Sequence, residues 1–232
     1  MPRLARVIAV DVPHHVTQRG NAQQQVFGSP SDYMVYLDLL ERYACLYHLS
    51  MGAYCLMPNH VHIIATPSSA DALRLTLRNT HGRYAAYRNS RQSATGHVWQ
   101  GRYYSCPMDI GHHYAALRYV ETNPVRARLV QSPEDYRWSS AEEHCGGPAG
   151  RIKLAPIDGW TPDEWRAYLC ESDPAVESAI RDATHTGRPV GPDDFVHGLE
   201  IALGRRLAPQ HGGRPSRKAV ASRQQVLEWE AL

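Results

Sequence analysis

The amino-acid sequence predicts an α+β fold, and three observations carry that expectation. Residues 60–66 form an apolar, β-branched run, residues 49–57 form an apolar run before it, and Pro58-Asn59 between them suits the middle of a tight turn, so the two read as paired strands. Residues 33–48 place Tyr36, Leu37, Leu40, Tyr43, Ala44 and Tyr47 at three- and four-residue steps, the period of an amphipathic helix. Along the chain these signals recur as strand, helix, strand, strand, helix, strand, helix.

Taken in order, residues 3–18 hold Val7, Ile8, Val10, Val12, Val16 and Thr17, which read as one or two strand pieces broken at Pro13. His14 and His15 here suit a nucleic acid backbone, a metal, or simply the polar face of a strand. Ser29-Pro30-Ser31-Asp32 opens the first helix, with Ser or Asp as cap. Residues 70–92 read as a second helix with Leu73, Leu77 and Tyr84 inward. Its Arg74, Arg78, Arg83, Arg88 and Arg91 are opposed only by Asp71, an excess that favours phosphate contacts over a merely solvated face.

Val98 to Ser105 includes Trp99, Gln100, Arg102, Tyr103 and Tyr104, and reads either as a last strand with a packed Trp or as a set that grips unpaired bases. Residues 109–119 read as a helix with Ala116 and Leu117 inward. Pro124 disfavours helical geometry at Asn123, so that helix should end there with the amide oxygen free. Gly146-Gly147-Pro148-Ala149-Gly150 is a linker signal. Thr161-Pro162-Asp163-Glu164 is a capping box, Asp173-Pro174 starts another helix to about Thr184, and a third carries Phe195, Leu199 and Leu203 and stops at Gly204. Beyond Leu207 the chain turns polar and basic, with Gly212-Gly213-Arg214-Pro215, and is expected to be disordered when free.

Charge is uneven although the net value is only +2. Residues 1–137 carry 14 Arg against 9 acids, whereas residues 138–204 carry 5 basic and 12 acidic side chains. Arg supplies nearly all the positive charge, and its planar fork suits phosphate. No apolar run reaches the roughly 18 residues of a membrane span, and the Met1 end lacks the apolar region of a signal peptide, so a cytoplasmic protein without membrane contact is expected. The 5 Cys lack C-x-x-C spacing, which argues against a disulfide scaffold or a cysteine zinc site.

Chemistry concentrates in two stretches. In a strand, His60 and His62 put both imidazoles on one face, half of a divalent metal site. In a helix, Tyr119 and Asn123 stack on one face, a phenol beside a carbonyl able to complete a coordination shell. Other uses of H-x-H fit less well. A histidine-triad enzyme needs a further alternating His where this chain has Ile64, and zinc deaminases need H-x-E with P-C-x-x-C, both absent. Amidohydrolase-like zinc sites need downstream His and Asp ligands that are not found.

Pro58-Asn59-His60-Val61-His62, Trp99-Gln100-Gly101-Arg102-Tyr103-Tyr104 and Tyr119-Val120-Glu121-Thr122-Asn123-Pro124-Val125-Arg126-Ala127 resemble the REP-associated tyrosine transposases, of the one-tyrosine HUH nuclease superfamily. Pro13-His14-His15-Val16-Thr17-Gln18-Arg19-Gly20-Asn21 and Tyr136-Arg137-Trp138-Ser139-Ser140 are similar to that family too. The resemblance implies a ferredoxin-like antiparallel sheet with helices on one face. It implies Tyr119 as nucleophile, and His60, His62 and Asn123 as ligands of Mg²⁺ or Mn²⁺. Arg19, Arg74, Arg78, Arg83, Gln100, Arg102 and Arg126 are the expected DNA contacts. The implied substrate is single-stranded DNA beside a REP-like palindromic hairpin, cut through a 5′-phosphotyrosine; the alternative is a non-catalytic hairpin-binding regulator. The expected organisation is a catalytic domain over 1–142, a linker over 143–156, a helical appendage over 157–204 and a basic tail over 205–232, in a monomer or homodimer. The acidic appendage is expected to mask the basic groove.

Overall fold

The computed structural model describes residues 6–207, so the Gly212-Gly213-Arg214-Pro215 segment lies outside the described residues. Strands β1 (His14–Arg19), β2 (Leu49–Met57), β3 (His60–Pro67) and β4 (Tyr104–Pro107) form one antiparallel sheet in the order β2-β3-β1-β4. β2 and β3 are the expected pair about Pro58-Asn59. β1 begins directly after Pro13, whose missing N–H cannot join a ladder. The Trp99 stretch precedes β4 rather than forming it. Its indole packs against α2 (Ala72–Arg91), donating from Nε1 to the His81 carbonyl at 3.0 Å, so the packed-Trp reading holds.

α1 (Pro30–Leu46) starts at Ser29, and the Asp32 carboxylate accepts from the Gly28 and Ser29 amides at 2.9 Å each. α1 and α2 pack on one sheet face, burying Tyr36, Leu40, Leu73, Leu77 and Tyr84 against Val16, Val61 and Ile63. Each fully buried Leu there contributes about 1.5–3 kcal/mol. Helices also cover the opposite face, where only one helical layer was expected. α3 (Ile110–Glu121), the short α4 (Asn123–Arg126) and α5 (Ala141–His144), α6 (Pro162–Leu169) and α7 (Pro174–Thr186) lie on this side. Ala53, Cys55 and Ile64 meet Ala116, Val120, Trp165, Leu169 and Ile180 in a second core. A strand buried on both faces needs apolar residues at successive positions, and Ile63-Ile64-Ala65 supplies them.

A bulge between Met51 and Ala53 switches which face of β2 the odd-numbered side chains take. It turns Leu49 and Met51 toward α1, then Ala53, Cys55 and Met57 toward α3.

Residues beyond 142 fold onto the sheet. Ile152 is buried in the first core, and Leu154 pairs with Met51 along the β2 edge. Val190 pairs with Met108 beyond β4, so both sheet edges are covered. α6 carries the expected capping box, with Thr161 Oγ1 accepting from the Glu164 amide at 3.3 Å. α7 and α8 (Asp193–Leu203) end on Gly187 and Gly204, both left-handed. Among the described residues no helix is long and apolar enough to cross a membrane.

Candidate active site

Strand parity separates the chemistry from the packing. Val61, Ile63 and Ala65 face α1 and α2, which leaves His60 and His62 on the α3 side. β1 runs beside them with Thr17 opposite His62 and Arg19 opposite His60, so His15, Thr17 and Arg19 share that side. Ala116, Leu117 and Val120 anchor α3 in the second core and thereby fix Tyr119. Its ring meets His15 and His62 edge-on, at centroid distances of 5.6 Å and 5.8 Å. The His60 and His62 rings are 4.9 Å apart. These groups open on a cleft of about 490 Å³, closed on one side by Arg181, Thr184 and His185 of α7.

The imidazoles are held neutral. Burial lowers His60 to about 4, with Arg19 adding to the effect. Burial lowers His15 to about 3, with help from His185 and Arg126. His62 lies well below its ordinary value for the same reason, reinforced by His15, His60, Arg126 and Arg19. Neutral imidazole is the form that binds metal.

The donor set fits a divalent cation. His60 Nδ1 sits 2.6 Å from the Asn59 side-chain oxygen, which can only accept, so Nδ1 carries the proton and Nε2 a bare lone pair. His62 Nδ1 is engaged by His15 at 2.9 Å, and its Nε2 has no protein partner among the described residues. Ligating histidines characteristically have their second nitrogen tied this way. Asn123 donates from Nδ2 to the Tyr119 and Val120 carbonyls at 3.2 Å and 3.4 Å, which leaves Oδ1 without a protein partner among the described residues. Pro124 explains this: it has no N–H for the Val120 carbonyl, and the Asn123 amide substitutes. α3 ends at Glu121 and the chain continues as α4, close to the expected helix end. Among the described residues no three His, Cys, Asp or Glu side chains converge on one metal-sized point, and the Asn123 amide lines the cleft beside the two imidazoles.

Two arginines bracket the phenol. Arg126 stacks its guanidinium 4.3 Å from the Tyr119 ring centre, donates to the Tyr119 carbonyl at 2.5 Å and pairs with Glu177 at 3.6 Å. Arg181, on α7, lines the same cleft as Tyr119, and the phenol acts on its guanidinium.

Of the residues expected at the site, His60, His62, Tyr119, Asn123, Arg19, Gln100 and Arg126 line the cleft. Arg74, Arg78, Arg83 and Arg102 do not. α2 packs on the other sheet face, and the charges of Arg74 and Arg102 act on Tyr103, which belongs to that face's core. Arg74 is also paired with Asp71 at 2.9 Å. Sequence reasoning offered Tyr104 only within the set that grips unpaired bases, and missed Thr17, Arg181, Thr184 and His185. The only signal for the last three was their spacing on one predicted helix. His15 was recognised as a candidate, without a way to distinguish it from His14.

Residues 10–123 match the family model described as IS200-like transposase. Among solved structures, the chain is similar to a REP-associated tyrosine transposase bound to a REP hairpin, at 15% identity and a TM-score of 0.54, covering 70% of this chain and 96% of that one. It also aligns with a protein from Deinococcus radiodurans described as a candidate transposase, at 16% identity and a TM-score of 0.37, over 52% of this chain and 97% of the other. No curated protein matches the chain.

Proposed function

We propose that this chain, whose residues 10–123 match the family model described as IS200-like transposase, is a metal-dependent endonuclease and strand transferase acting on single-stranded DNA beside a REP-like hairpin. One observation carries the reading: the Tyr119 phenol and the His60 and His62 imidazoles open on the same cleft of a single chain.

His60, His62 and Asn123 would hold the cation, Mg²⁺ or Mn²⁺, which would supply positive charge against the phosphate. Tyr119 is the nucleophile. Its oxygen bonds to phosphorus while the bond from phosphorus to the 3′-oxygen breaks; the phenol proton is released and the departing strand leaves as a 3′-OH. The 5′-phosphotyrosine conserves the phosphoester, so an incoming 3′-OH reverses the step and joins strands without ATP. Arg126 fixes the Tyr119 ring. Arg181, across the cleft on α7, offsets the charge of the incoming phosphate. Arg19 and Gln100, exposed at the cleft mouth, contact the strand on either side of the cut. Arg74, Arg78, Arg83 and Arg102 serve flanking DNA rather than the reacting phosphate.

A labelled hairpin with a single-stranded flank, incubated with Mn²⁺, tests this. Wild-type protein is expected to cleave the flank, EDTA to stop it, and Tyr119→Phe to bind the hairpin without cutting. Tight binding with no cleavage by the wild type would favour the non-catalytic hairpin-binding reading instead.

A further inference from the structure

We propose that Thr184 and His15 are positioning residues that lock His62 in its Nδ1-protonated tautomer, so that α7 sets the metal affinity of the cleft from outside the family-matched segment. This rests on the reading of His62 as a metal ligand. The three side chains form one buried line. Thr184 Oγ1 lies 2.6 Å from the Ile180 carbonyl, one turn back on α7. His15 Nδ1 lies 2.7 Å from Thr184 Oγ1, and His15 Nε2 lies 2.9 Å from His62 Nδ1. The His15 and His62 ring planes are parallel to within 3°, with centroids 5.1 Å apart, an arrangement that suits an in-line N–H···N bond.

Direction follows from the end of the line. A carbonyl only accepts, so the Thr184 hydroxyl proton points to Ile180. Turned toward His15, it would leave two oxygens facing each other at 2.6 Å with no hydrogen between them. With its proton committed, Thr184 accepts from His15 Nδ1–H, and the Cys106 thiol at 3.2 Å donates to the same oxygen. His15 is buried with no acidic side chain paired to it among the described residues, so its ring carries only the proton given to Thr184, and its bare Nε2 accepts from His62 Nδ1–H. The lone pair of His62 is therefore on Nε2, the nitrogen left for the cleft. Free imidazole favours the other tautomer slightly, so the selection depends on this line.

Two measurements test it. In metal-free wild-type protein, ¹⁵N chemical shifts should show His62 protonated at Nδ1 and bare at Nε2; the opposite tautomer overturns the proposal without any variant. Mn²⁺ affinity, by calorimetry without DNA, should fall about 10- to 100-fold in Thr184→Val and return to near wild type in Thr184→Ser. Wild-type affinity in folded Thr184→Val, or no recovery in folded Thr184→Ser, would also overturn it. His60→Ala separates the two readings. If it leaves Mn²⁺ binding unchanged the ligand assignment fails, whereas if it abolishes binding and Thr184→Val does not weaken it, only the relay fails.

Discussion

His14 and His15 are adjacent in sequence and face opposite sides of β1. His14 accepts from the Ala9 amide at 3.2 Å and lies 2.7 Å from the Val12 carbonyl, bracing the segment before the strand, while His15 lines the cleft. Nothing in the doublet itself tells them apart. The register of β1 on β3 decides which one meets His62, and register depends on partners distant in sequence. His60 and His62 were legible because their spacing matches the strand period whichever register is adopted.

Buried neutral histidines set an acid limit on stability. Burial lowers His14 to about 4 and His81 to about 3, against an unfolded value near 6.5. The unfolded chain thus binds protons that the folded chain refuses. Their contribution is intact above pH 6.5 and is lost as pH falls toward 4 for His14 and toward 3 for His81, at about 1.4 kcal/mol per unit for each. Urea midpoints should fall from pH 7 to pH 5, with a shallower decline in His81→Phe; a midpoint independent of pH would refute this. Arg181 gives a second residue-scale test. Arg181→Gln should slow cleavage by about 10-fold or more while leaving Mn²⁺ affinity unchanged. An unchanged rate would remove Arg181 from the site.

At the level of elements, α3 serves the two sides of its own packing. Tyr119 faces the cleft, and two residues later Glu121 is fully buried on the other side. Its carboxylate accepts from Ser140 Oγ at 2.5 Å, His144 Nδ1 at 2.6 Å and Trp165 Nε1 at 2.9 Å, tying α3 to α5 and α6. Glu121→Ala leaves these donors buried without a partner and should cost about 3–5 kcal/mol, read as a lower denaturation midpoint. A variant as stable as wild type would show the network to be incidental. The helical span and the Tyr119-to-Asn123 step were readable from the sequence, whereas the facing of Glu121 depends on which helices arrive later. The α2 arginines show the same limit. Their excess over acid is plain in the sequence, but the sheet face that α2 covers is set by tertiary packing.

For the whole molecule, a sheet filled on both faces joins residues 157–204 to the rest. Trp165, Leu169 and Ile180 share a core with Tyr119 and Val120, and Arg118 pairs with Glu171 at 3.4 Å. The sequence displayed these helices through their caps and apolar spacing, but their acidic balance suggested a mask over a basic groove. α7 brings Arg181, Thr184 and His185 into the cleft, a placement hidden in the average charge of the segment. One cooperative unfolding transition should follow. Trp138 packs against both cores and Trp160 against the second, so tryptophan fluorescence and far-ultraviolet circular dichroism should give coincident curves, and a separate early transition would contradict the joint core.

The most direct test of the account is to trap the reaction of the wild-type protein with Mn²⁺ and a hairpin-flanked single strand, digest it, and locate the nucleotide by peptide mass spectrometry. The expected result is a 5′-phosphate ester on the peptide containing Tyr119, absent from His60→Ala. Cleavage with no protein–DNA adduct, or an adduct on any other residue, would contradict it.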